Sequence, residues 1–553
     1  MALGTNAKVY IDAGGNLNDI TPLRATTAAG DVTFSASNGS STLTVFDTGS
    51  ATTPGDYVTF SGADSLGGNV TATVLNAEHV VATTINADAY TITLDVTANA
   101  SDSGDGGAAT IGYYQISPGY ANTTYGYGFG TSTWSRGGWG SGSEQPVDLG
   151  ATTWFFDNFD NDLVMNVNTS GRGAIYWWER GSSTDPTSAL GIRAVLLSSL
   201  AGANEVPVLA GQILVSQNDK HLLAFGAVPY GSSDPADFDP LLIRWADQDN
   251  PVEWEPTPTN SAGFLRVSRG SLIKRALATR QEILVFTDTS ISSLQFLGTT
   301  DVFGIQELND NISLMSSRSV ATANNIVFWM GHDKFYAYNG RVETLPTTLW
   351  QHVFRNFNHN RHENVVAGTN EGFNEIWWFY CTAQSNENDA YVVYNYVEKI
   401  WYYGTIERTA WLDSGLREYP QAVDASGYVY NHEDGVDAAD DPMESYIQSS
   451  DFDLGDGEQF MLSRRILPDI KFNGSTVENP EATMTVVPKR FPGSAPQTEP
   501  NLRIIESSVD QYTNEVFIRA RGRSMAFKVA SDTLGSNWQI GNPRLDARPD
   551  GKR

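Results

Sequence analysis

The sequence is poor in residues that mark several large protein classes. Among its 553 residues is one cysteine, Cys381, which excludes an intrachain disulfide framework and any cysteine-rich zinc site. Cys381 stands in the apolar run NEIWWFYCTA and reads as a small buried hydrophobe. No run of about 18 apolar residues occurs, and the opening MALGTNAKVYIDAGG has neither a basic nor an apolar leader segment. The expectation is a chain made in the cytoplasm that spans no membrane. Cations are scarce: 35 Lys plus Arg stand against 64 Asp plus Glu, for a net charge of -29. Each phosphate contact needs a cation, so this balance argues against a sequence-independent grip on nucleic acid.

The motifs of several enzyme classes are also missing. There is no G-x-x-x-x-G-K-[ST], no H-E-x-x-H, and no G-x-S-x-G after a strand. His352, His359 and His362 form the tightest histidine group, but a metal site needs a third ligand and a fixed outer shell. With Arg355 and Arg361 interleaved and no Cys nearby, an exposed or hydrogen-bonded polar helix is the better reading. Asp157, Asp160 and Asp162, and likewise Asp451, Asp453 and Asp456, lack the register and distal Glu of a calcium loop and read as turns. No catalytic, cofactor or metal site is assigned, and the expectation is a protein that is not an enzyme.

What is present is glycine (51), aromatic residues (11%) and modest charge (18%), a composition of short strands and tight turns. The fold class expected is all-β. Residues 30–116 read as a small inserted β-domain: STLTVFD, DYVTFSG, NVTATVL and YTITLDVT alternate, and ANASDSGDGGAAT reads as turns or a flexible tether. Residues 119–144 mix Gly with Tyr, Phe and Trp and read as a long loop, either packing or sugar-stacking.

From about 150 to 445 strand pairs recur, within a β-propeller expected over residues 117–445. LGTNAKVYIDAGGNLNDITP at 3–22 and MGHDKFYAYNGRVETLP at 330–346 share Gly, a polar turn, Lys, one residue, Tyr, three residues and Gly before a return strand. Repeats roughly 40 to 60 residues apart are a propeller signature, with about six or seven blades fitting the length. The segment 1–29 would supply a hairpin that completes the last blade. Residues 446–553 carry longer alternating strands that read as a β-sandwich-like domain. Charge changes sign there: residues 488–553 hold 11 Lys or Arg against 7 Asp or Glu, while 431–460 hold ten acids and no Lys or Arg. Arg519, Arg521 and Arg523 alternate in FIRARGRS, so a strand would place them on one face. With Arg544 and Arg548 they are the candidate assembly interface, the acidic stretch being their expected counterpart in the same subunit or the next.

The runs LLIRWADQDNPVEWEPTPTNSAGFLRVSRGSLIKRALATRQEILVFTDTSISSLQFLG, VFWMGHDKFYAYNGRVETLP, VVYNYVEKIWYYG and FIRARGRSMAFKVASDTLGSNWQIGNPRLDARPDGKR resemble the tail-hub proteins of short-tailed bacteriophages. These are also called nozzle or packaged-DNA-stabilisation proteins. The likeness covers most of residues 215–553, and the opening GTNAKVYIDAGGNLNDITPLR is similar to a blade of that family. It implies a virion tail protein, a homo-oligomeric ring of six below the portal and adaptor rings. The further partners implied are tail fibres or spikes and a tail needle or plug, with genomic DNA passing through the channel without sequence-specific binding. An acidic, cation-poor wall would let a duplex slide. The alternative is a glycan-binding or glycan-hydrolysing β-propeller, for which 14 Trp and 23 Tyr offer stacking surfaces. Runs such as IYWWER, EIWWFY and KIWYYG place many of those rings in strands, where alternation sends every second ring into a core.

Overall fold

The computed structural model describes residues 1–125, 148–181, 192–299, 301–415, 417–491, 493–494 and 503–552. Most of the glycine-aromatic stretch 119–144 lies outside the described residues. The fold is all-β: a β-propeller with an inserted small β-domain and a C-terminal β-sandwich. By its internal contacts the chain forms two compact units, residues 1–414 with 422–428, and 415–421 with 429–553. The second unit thus includes residues 429–445, which the sequence reading had given to the propeller.

In the first unit, five four-stranded antiparallel sheets follow one another along the chain. Their first strands are Thr153–Phe159, Ala210–Ser216, Ile273–Ala278, Val320–Ala323 and Val366–Asn370. Each sheet is too small to bury both of its faces alone, so it stacks on its neighbours. The stacking shows in the cores. One cluster joins Phe155 and Val164 to Ile213 and Leu222, and the next joins Phe225 and Ile243 to Val285 and Leu294. A third joins Phe286 to Trp329, and a fourth joins Phe328 and Phe335 to Trp378 and Val392. Because both faces are covered, strands such as Ala210–Ser216 and His221–Ala227 are buried at every position. That corrects the expectation of simple alternation: in Glu375–Tyr380 the last three aromatic residues are all buried.

The N-terminal segment forms its own three-stranded sheet, Ala2–Gly4, Val9–Ala13 and Asn16–Asp19. It does not add to the last blade. Val9 and Ile20 are fully buried in a cluster with Leu163, Met165 and Trp178, so this sheet stacks beside the first four-stranded one. Gly4 is required at that contact, since a Cβ there would fall 2.3 Å from the Trp154 ring. At the other end of the series, Asn122 Nδ2 donates to Glu387 (3.0 Å) and Arg361 Nη1 to the Thr123 carbonyl (2.9 Å). The segment before the first blade is thereby tied to the fifth.

The inserted domain is one eight-stranded sheet that begins at Leu23 and ends at Gln115. Its long strand Glu78–Asn86 pairs with both Tyr57–Ser61 and Ala89–Thr93, curling the sheet over a single core from Val32 to Tyr114. Here the alternation expected from sequence holds: Thr42–Phe46 and Tyr57–Ser61 bury every second residue. The run ANASDSGDGGAAT does not form the expected tether, because Asp102–Asp105 within it pairs with Thr33–Ala36.

In the second unit a sheet of five strands packs on one of three across a common core. Met484, Val486, Val509 and Val529 come from the larger sheet, and Met461, Ile466, Val516 and Ala520 from the smaller. The smaller sheet has Met461–Leu467 in the middle, flanked by Val516–Gly522 and Arg544–Pro549.

Candidate functional site

The three-stranded sheet of the C-terminal unit gathers most of the arginines singled out above. In Val516–Gly522 the alternation sends Val516, Ala520 and Gly522 inward and leaves Phe517, Arg519 and Arg521 exposed. In Arg544–Pro549, Leu545 and Ala547 pack on the core while Arg544 and Arg548 are exposed. The middle strand adds two residues that sequence reading missed. The register shifts between Ser463 and Arg465 on both sides, and at that irregularity Arg464 and Arg465 are both exposed. The signal was present in the doublet of MLSRRILPD, but only the pairing shows that it lies between the other two arginine strands.

Arg523 departs from the expectation. It sits past the end of its strand, half-buried, with its guanidinium 5.1 Å from the centre of the Phe460 ring and donating to the Lys552 carbonyl (3.3 Å). Arg521 lies over the same ring at 4.1 Å. Among the described residues, the acid seen to pair with Arg521 is Asp550 (2.5 Å), which lies outside the stretch 431–460. Arg465 pairs with Glu515 (3.2 Å) and Arg548 with Asp546 (3.4 Å). The acidic stretch instead reaches two lysines, through Asp451 to Lys489 (2.7 Å) and Glu458 to Lys552 (3.1 Å). Among the described residues, Arg464, Arg519 and Arg544 have no ion pair, so the face as a whole keeps an excess of positive charge.

The propeller contains a second polar constellation. A short 3-10 segment, His359–Asn364, precedes the first strand of the fifth four-stranded sheet and carries His362 and Glu363. Burial pushes the Glu363 carboxyl up, but the His362 hydrogen bond (3.0 Å) and the positive charges of Lys274 (3.7 Å) and Arg318 outweigh it and hold it below its ordinary value. His332, whose ring lies 6.1 Å from that of His362, is lowered by burial and then by Lys274 and His362. His332 and His362 thus border the Glu363–Lys274 ion pair, and no group of three or more metal-ligating side chains occurs among the described residues. His352 lies apart, against Tyr403 at 4.0 Å. Beside this network a cavity of about 90 Å³ is lined by Arg318, Asn364, Glu387 and Asn388, room for a few waters.

A larger cavity, about 310 Å³, runs along the first strands of three successive sheets. Trp154, Phe156, Asp157, Gln212 and Arg275 are among its lining. The Trp154 and Phe156 rings are parallel, 5.9 Å apart. Arg275 has its guanidinium 5.1 Å from the centre of Phe155, and its buried Nε has no hydrogen-bond partner. Burial lowers its pKa to about 10 despite the Asp157 charge. Asp157 is itself raised by burial, against hydrogen bonds from the Val215 (2.7 Å) and Asn158 (2.8 Å) amides. It is thus a strand-linking acceptor, whereas Asp160 sits at a turn with positive φ and pairs with Lys220 (3.1 Å). Cys381 is buried, donates to Asn388 (3.3 Å), and has its thiol pushed up to about 12, chiefly by burial.

No family model and no curated protein matches the chain. Solved structures that match include a phage phi92 endosialidase, 11% identical over 77% of this chain and 60% of that one, with a TM-score of 0.18. The chain thus spans less than two thirds of that protein. An exo-β-1,3-galactanase from Phanerochaete chrysosporium, determined with galactose, is 10% identical over 71% of this chain and 94% of that one, with a TM-score of 0.24. A protein from Lactobacillus plantarum is 7% identical over 53% and 86%, with a TM-score of 0.30. At these scores the matches do not assign an activity. The expectation of a protein that is not an enzyme rested on missing motifs alone and is withdrawn, since two of these matches are named as an endosialidase and an exo-β-1,3-galactanase.

Proposed function

We propose that this chain is a structural subunit of the tail hub, or nozzle, of a short-tailed bacteriophage, assembling as a ring around a channel for the genome. The observation that carries the reading is the ordered resemblance over residues 215–553. Its segments fall on successive elements of the fold. LLIRW is the third strand of the second four-stranded sheet, ILVFT and SISSLQF are the paired middle strands of the next, and FIRARG is an outer strand of the C-terminal sandwich. The physics suits the role. A net charge of -29 repels a sliding duplex, and blades locked by buried Trp254, Trp329 and Trp378 resist local opening. Negative-stain imaging of the purified chain tests it: closed rings support the reading, and compact monomers oppose it.

A second reading is a glycan-binding or glycan-hydrolysing propeller, and an endosialidase and an exo-β-1,3-galactanase are among the structural matches. Its specific observation is the larger cavity, which is of ligand size and sets parallel Trp154 and Phe156 rings beside Arg275 and Asp157. Asp157 is the single carboxylate of that lining among the described residues, whereas glycoside hydrolysis ordinarily uses two. Binding to a saccharide panel, with release of reducing ends as a parallel assay, tests this reading. Loss of both in a Trp154→Ala variant would place the activity in this cavity.

A further inference from the structure

We infer that the arginine face of the C-terminal unit receives the acidic segment 434–444 of a second copy of this chain. This deepens the tail-hub reading and rests on it for a closed ring, although the contact itself needs only two copies. The receiving face is the outer side of the three-stranded sheet, with Arg464, Arg519 and Arg544 unpaired among the described residues. Among them stands Phe517, 75% exposed, an apolar anchor with cations around it. The segment offered has the opposite pattern. Asp440, Asp441 and Glu444 are exposed and have no ion pair among the described residues, and the exposed Met443 (49%) stands between them in the chain. Each patch thus sets an exposed apolar side chain among charges, and the charges are opposite in sign.

The two patches do not satisfy each other within one copy. Ser445–Gln448, which the acidic segment enters, is an edge strand of the five-stranded sheet, while the arginines stand on the outer side of the other sheet, beyond the shared core. Two different patches that complement each other make a head-to-tail contact, which closes into a ring when its rotation permits. The face fits a protein better than a duplex. Glu515, Asp546 and Asp550 are interspersed among the arginines and would repel phosphates, and an exposed Phe gains nothing from a DNA backbone.

Charge reversal in the full chain tests the contact. Arg519→Glu with Arg544→Glu, and separately Asp440→Lys with Asp441→Lys, should each weaken self-association roughly tenfold or more in sedimentation velocity, as added salt does. All four residues are exposed, and unchanged circular-dichroism melts will show that both variants fold. Mixing the two variants, or combining all four changes, should restore association, because the charges again oppose. Wild-type rings that persist in both variants overturn this contact while leaving the tail-hub reading standing. A wild-type chain that is monomeric at every concentration overturns both. Salt-sensitive duplex binding by the wild type that is lost in the arginine variant would assign the face to DNA and overturn the inference as well.

Discussion

In the inserted domain, Tyr90, Tyr114 and Asp47 form a hydrogen-bonded chain inside the core, while in the C-terminal sandwich the strongest polar feature is a sheet face of arginines turned outward. The inner chain runs from the Tyr90 hydroxyl to that of Tyr114 (3.0 Å) and on to Asp47 Oδ2 (2.5 Å), with all three residues buried. Burial raises both phenols and the Asp47 carboxyl. A satisfied polar network inside a core specifies its own domain. Charges left facing solvent specify nothing in the domain that bears them, and their use lies with whatever docks there.

The largest effect that would sharpen this contrast comes from the inserted core. Phe60 is 1% exposed and meets Phe34 edge-on at 5.0 Å, so Phe60→Ala should cost about 3–5 kcal/mol. Hydrogen exchange should then show early opening of residues 23–115 with the C-terminal sandwich unchanged; joint opening of both would deny them separate cores. Tyr114→Phe should cost about 1–3 kcal/mol, because it leaves the buried Asp47 carboxylate without its donor. The same exchange measurement reads it, and a neutral result would mean that water replaces the hydroxyl.

The pH dependence follows from Asp47. Its folded pKa is raised above the unfolded value of about 4, so the native domain holds the proton more tightly. Stability of this domain should therefore fall as pH rises through the window between the two values, and level off above the folded one. Asp47→Asn should flatten that slope in denaturant melts taken across the window. The smallest effect is on the outward face. Arg521→Gln removes an exposed pair with Asp550 and should change stability by about 0–1 kcal/mol, which a melt of the isolated variant will show. A loss of several kcal/mol would mean that Arg521, through its Phe460 contact, belongs to the core of the sandwich and not to a docking face.

Period-2 alternation made the inserted domain and the C-terminal strands legible in the sequence, since each has one covered face. The blades were legible through their spacing and turns rather than through alternation, because stacking buries both sides of strands such as His221–Ala227. What the sequence hid was pairing. Asp102–Asp105, made of Asp, Ser and Gly, looks like a linker until Thr33–Ala36 is placed beside it. The arginine face was half visible: FIRARGRS shows its period, but Arg464 and Arg465 join it only through a register irregularity, and Asp550, the acid seen to pair with Arg521, lies outside the acidic stretch. Arg275 and Asp157, 118 positions apart, carry no local signal, and only the side-by-side first strands of three sheets bring them to one cavity.

The most direct test of the tail-hub account is negative-stain imaging of the purified full-length chain over a concentration series at low and high salt. The account predicts closed rings with a central opening that loosen as salt rises. Compact monomers at every concentration, binding or cleaving a saccharide through the Trp154 cavity, would contradict it.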